Sequence, residues 1–125
     1  MTRRYFVSPG EVEPFSPANH TGTVNRRLIA PDTVGSEHLE VLHGTIAPGE
    51  GALPHSHPGM DQAVYLLAGR VRAEIDGQTR ELVPGDAAFF PAGMPHIVTA
   101  IGDEPVKVLV MYTPPYMENP EKAAR

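Results

Sequence analysis

The chain has 125 residues, a hydrophobic fraction of 41%, a formal net charge of −5 and no cysteine. That length and apolar content suit one compact domain, and the acidic balance leaves no basic stripe for a phosphate backbone, which argues against nucleic acid as a partner. Without cysteine there are no disulfides, thiolate metal sites or thiol nucleophiles, so histidine, carboxylate and amide remain as metal ligands.

Residues 1–22 read as an arm, rich in proline and polar groups, with Tyr5 to Val7 as its apolar run. The arm is expected to gain order by packing on the body or on a second subunit. Arg3 and Arg4 are followed by Ser8, Pro9, Gly10, Glu11 and Glu13 rather than by an apolar core, so no signal peptide is read. The apolar stretches Ile97 to Ile101 and Val108 to Tyr112 are too short to cross a bilayer, and a soluble cytoplasmic protein with no membrane partner is expected.

From Arg26 onward, short apolar runs recur about every ten residues. Each is closed by a turn signal: Pro31-Asp32, Pro48-Gly49, Pro58-Gly59, Asp76-Gly77, Pro84-Gly85, Ala92-Gly93 or Gly102-Asp103. This spacing predicts an all-β sandwich or barrel over 23–113. Strands are expected at Leu39 to Ile46, Gln62 to Leu67, Ala87 to Phe90, His96 to Ile101 and Val106 to Tyr112. Val71, Ala73 and Ile75 alternate with charged residues and run into Asp76-Gly77, which predicts a tight hairpin returning along Gln78 to Val83. No segment has a convincing helical period longer than two turns, and the tail 114–125 could hold one helical turn or none.

Chemistry concentrates at residues 55–62, HSHPGMDQ. If this stretch is extended, His55 and His57 point to one face and form a two-imidazole clamp. Imidazole suits several transition metals, and Asp61 or Gln62 could complete the set from the next strand.

The pattern around these residues resembles the cupins, specifically small single-domain bacterial cupins. In the first motif of that family a glycine is followed by five residues, His-x-His, three or four residues, a glutamate, six residues and a glycine. Gly49, His55, His57, Gln62 and Gly69 stand at those places. Gly85, Pro91, Gly93 and His96 match the second motif, whose final asparagine position is Ala100 here. The resemblance covers roughly residues 38 to 112. It implies a jelly-roll-like β-barrel with a metal held by His55, His57, Gln62 and His96. Free sheet edges and the arm add the expectation of a homodimer.

Two departures from the motif matter. Counting back from Gly69 puts glutamine where the family has glutamate, and strand parity agrees: Gln62, Val64 and Leu66 share one face, Asp61 and Tyr65 the other. Gln62 offers a neutral oxygen and cannot act as a base near neutral pH. Asp61 is expected to be solvated, with coordination in place of Gln62 as the lesser option. Ala100 leaves apolar room in the barrel.

The cofactor implied is one divalent ion, with nickel, zinc, iron, manganese and cobalt all open. A neutral ligand set leaves the ion its full charge to attract an anionic or enolisable small molecule. A metal-dependent enzyme of dioxygenase (oxidoreductase), lyase, isomerase or cyclase type is therefore expected, with no catalytic side chain assigned. The alternative is a non-catalytic binding or sensing protein. His20, His38 and His43 match no motif position, and His20 in the arm is the candidate cavity lid.

Overall fold

The computed structural model describes residues 4–17, 20–51 and 56–118. Among them are nine strands: β1 (Pro14–Phe15), β2 (Thr23–Ile29), β3 (Glu40–Ile46), β4 (Asp61–Ala68), β5 (Arg70–Ile75), β6 (Gln78–Leu82), β7 (Ala87–Phe90), β8 (His96–Ile101) and β9 (Val106–Thr113). One 3-10 turn spans Pro9–Glu11, and no described helix is long and apolar enough to cross a membrane.

The fold is all-β. Six strands form one antiparallel sheet in the order β1-β2-β3-β9-β4-β7, and three form a second in the order β6-β5-β8. Alternation decides what each strand buries. In β4, Gln62, Val64 and Leu66 are buried while Asp61, Tyr65 and Leu67 are exposed; in β9, Val106, Val108, Val110 and Tyr112 are buried. The inward faces of both sheets meet in one core that includes Leu42, Leu66, Val71, Phe90 and Ala100.

The expected hairpin is β5-β6. Its central residues both take positive φ, 50° at Asp76 and 72° at Gly77, as a two-residue turn matching strand twist requires. The seam between the sheets is closed by the chain after β3: Gly49 N donates to Ala100 O at 3.1 Å, Ala100 N to Glu50 O at 2.9 Å, and Gly51 pairs with Thr99. A Cβ on Gly51 would lie 2.6 Å from Val98 O, so only glycine passes there.

The strand least visible in the sequence is β2, where Asn25, Arg26 and Arg27 break the apolar run. It is held by pairing with β3 on one side and β1 on the other. The arm thus contributes a strand, and Arg26 Nη1 fastens it further by donating to Pro9 O at 2.9 Å and Val12 O at 3.0 Å. On the outer face of β9-β4-β7, exposed Tyr65 and Phe89 neighbour Ala63, Leu109 and Met111 through the strand register.

Candidate metal centre

Gln62 is 7% exposed and sits in a row of cross-strand partners, between Tyr112 on β9 and Phe90 on β7. Its Oε1 is cut off from solvent and accepts no hydrogen bond among the described residues. An orphaned buried carbonyl is costly and asks for a partner.

His96 opens β8 and is 4% exposed. Its ring stacks on Phe90 at 4.1 Å between centroids and 5° between planes. Nδ1 lies 3.1 Å from Met94 O. A carbonyl can only accept, so Nδ1 carries the proton, which in the neutral ring leaves the lone pair on Nε2; a second-sphere carbonyl commonly fixes a metal-binding imidazole this way.

His57 is equally buried, at 4%, and stands in the loop before β4 rather than on a strand. Residues 56 and 57 are irregular and β4 begins only at Asp61. Backbone contacts hold the loop instead: His57 O accepts from Gly93 N at 3.1 Å and from Met60 N at 3.4 Å. The His57 ring lies 5.6 Å from that of His96, 5.4 Å from Tyr112 and 4.7 Å from Tyr116. His55 falls outside the described residues.

Asp61 has a different task. Its side chain is on the opposite face from Gln62, and Oδ1 accepts from Ala92 N at 3.0 Å. The carboxylate ties the Pro91-to-Met94 turn, which leads into His96, to the start of β4. Together with the Gly93-to-His57 bond, this brings the two motifs together.

Three side chains went unflagged in the sequence. Tyr112 packs edge-on to His57, and its strand alternation already placed it inward. Tyr116, beyond the last strand, had no periodic signal. Glu40 is 1% exposed, and its phase with Leu42 and Ile46 could have announced burial. Arg27 Nε donates to its Oε2 at 2.7 Å, while Tyr116 N and Met117 N donate to Oε1 at 2.8 and 2.9 Å. Glu40 therefore holds the segment that lays Tyr116 beside His57.

Gln62 and Tyr112 line a cavity of about 60 Å³. Its other described walls are apolar residues of several strands, Pro17, Gly51 and the polar Thr23, Asn25 and His20, so the arm does reach the cavity. None of the described lining residues is Asp, Glu, Lys or Arg. Among the described residues no three His, Asp or Glu side chains gather as a metal-holding group; His55 lies outside them, and Gln62 is an amide.

The cupin-domain family model matches residues 42–112. The chain belongs to the cupin family. This cupin is 29% identical over 99 residues to the tetracenomycin polyketide synthase protein TcmJ of Streptomyces glaucescens, covering 79% of this chain and 66% of that one, slightly under two thirds of its length. It is 36% identical over 73 residues to the dimethylsulfoniopropionate lyase DddQ of Ruegeria pomeroyi, covering 54% and 35%. Over another 73-residue match it is 33% identical to the oxalate decarboxylase OxdC of Bacillus subtilis, covering 54% and 19%. A structure of that decarboxylase described by its Mn(II) centres superposes with a TM-score of 0.78 at 20% identity, covering 94% of this chain and 31% of that one. KdgF from Halomonas sp. has the same fold, with a TM-score of 0.78, 22% identity and coverage of 91% and 96%. Distant relatives of this cupin thus include enzymes of lyase and decarboxylase type.

Proposed function

We propose that this cupin binds one divalent ion through His55, His57, Gln62 and His96 and acts as an enzyme on a small anionic or enolisable organic substrate. The observation that carries the reading is Gln62 Oε1, a buried oxygen without a hydrogen bond in the row whose neighbours pack on both described imidazoles. The tautomer fixed at His96 fits the same role.

When bound, such an ion supplies Lewis acidity toward a carboxylate or enolate oxygen. The chain's own residues do the rest: Phe90 and Met94 O orient His96, and Tyr112 and Tyr116 wall His57. Gln62 leaves the ion's charge undiminished. Manganese, nickel, zinc, iron and cobalt all suit three imidazoles and one oxygen. Relatives named as a polyketide synthase protein, a lyase and a decarboxylase support lyase or decarboxylase chemistry over a dioxygenase.

Elemental analysis of the purified protein tests the site. About one divalent ion per chain is expected, with loss in His57→Ala, affinity lowered tenfold or more in Gln62→Ala, and retention in Asp61→Asn, whose amide oxygen can still accept from Ala92 N; undiminished metal in His57→Ala would sink the assignment. Turnover is then assayed on 1,3-dicarbonyl, phenolic and keto-acid substrates. A non-catalytic binding role has one observation in its favour, the lack of a carboxylate or lysine among the described cavity residues. Recovery of an unchanged ligand from the purified protein, with no turnover, would decide for it. The homodimer belongs to the same proposal, supported by the apolar outer face of β9-β4-β7.

A further inference from the structure

One polar group in the barrel serves neither the metal reading nor the fold. Asn25 lies on the inward side of β2, is 8% exposed and lines the same cavity as Gln62 and Tyr112. Among the described residues its carboxamide makes no hydrogen bond. Thr23, buried on the same face of β2, is by contrast committed: its hydroxyl donates to Thr21 O at 2.9 Å.

The barrel is shaped around the Asn25 amide. Its cross-strand partner is Gly44, and a Cβ there would lie 2.7 Å from Asn25 Oδ1. Glycine thus lets the carboxamide lie against β3. A carboxamide offers two donors and one acceptor, and at Asn25 it faces a cavity where a bound molecule can meet it. The described walls carry no Asp, Glu, Lys or Arg, so the end of the cavity at Asn25 suits a neutral oxygen. The volume of about 60 Å³ equals roughly four to six waters at ~10–15 Å³ each, enough for a small molecule or one edge of a larger one.

We infer that Asn25 is a specificity-determining residue that hydrogen-bonds a neutral carbonyl or hydroxyl oxygen of the substrate, while a second, metal-seeking oxygen of the same molecule binds beside Gln62. The second half of this statement rests on the proposed metal site; the first does not.

The probes are 4-oxopentanoate and pentanoate, which share a carboxylate and chain length and differ by one ketone. Each is titrated calorimetrically into the protein as purified and after chelation. The wild type is expected to prefer 4-oxopentanoate by about tenfold, the usual scale for one buried neutral hydrogen bond. Asn25→Leu should bring the two affinities together without changing metal content. Gly44→Ala, whose Cβ pushes the amide aside, should shrink the preference in the same direction and serves if Asn25→Leu does not fold.

Equal affinities in the wild type, as expected if Asn25 only holds water, overturn the inference. So does failure of both probes to bind at millimolar concentration, or a preference that survives both substitutions. If the protein holds no metal yet the preference is present and vanishes in Asn25→Leu, the metal reading fails and the role of Asn25 stands.

Discussion

A carboxylate with 1% exposure is tolerated at Glu40 because each oxygen is met: Arg27 Nε at one, the amides of Tyr116 and Met117 at the other. Arg27 is in turn shared, donating from Nη2 to Glu118 O at 2.9 Å and lying 4.7 Å above the Phe15 ring. Removing the acid leaves a half-buried guanidinium and two amides without their acceptor. Glu40→Ala should cost about 3 kcal/mol in urea unfolding, and the near-ultraviolet signal of the tyrosines should change as Tyr116 loosens from His57. Legibility at this scale followed periodicity. Gln62 could be chosen over Asp61 by parity alone, whereas the bond from Ala92 N to Asp61 depends on a turn thirty residues away. Glu40 carried the inward phase of β3, but an acid at a strand start reads as a solvated edge until its arginine is known.

Elements bounded by strong turn chemistry were readable almost to the residue. β7 and β8 begin and end where the apolar runs do, and Asp76-Gly77 fixed the hairpin. β2 was not readable because its buried Thr23 and Asn25 are polar and serve the cavity rather than the core. The motif glycines separate two demands that look alike in sequence. Gly85 has φ +98° and open space around its Cα, so only the backbone angle asks for glycine. Gly69 has φ +81°, and a Cβ would also lie 2.8 Å from Pro105 O, a backbone atom that cannot yield. Gly85→Ala should therefore cost about 1 kcal/mol and Gly69→Ala 2 kcal/mol or more, read from thermal unfolding.

For the whole molecule, the outward side of the larger sheet bears on assembly. Phe89 is 58% and Tyr65 40% exposed, diagonal neighbours on adjacent strands whose other outward residues are largely apolar. Light scattering at micromolar concentration should give the mass of two chains, and Tyr65→Lys with Phe89→Lys should halve it while leaving metal content intact. A monomeric wild type refutes the dimer. The two-sheet architecture was legible because turn spacing and motif spacing agree. How its faces are used was not, since outward apolar residues follow the same alternation as inward ones.

The residues proposed to share one ion come from both halves of the barrel. His96 opens a strand of the smaller sheet, Gln62 belongs to the larger, and His57 stands in the loop before it. An ion gripping all three would be a strut between the sheets, so that prising them apart and releasing the ion would become one event. The durability of the barrel would then be set by the free concentration of that ion around it as well as by its own packing.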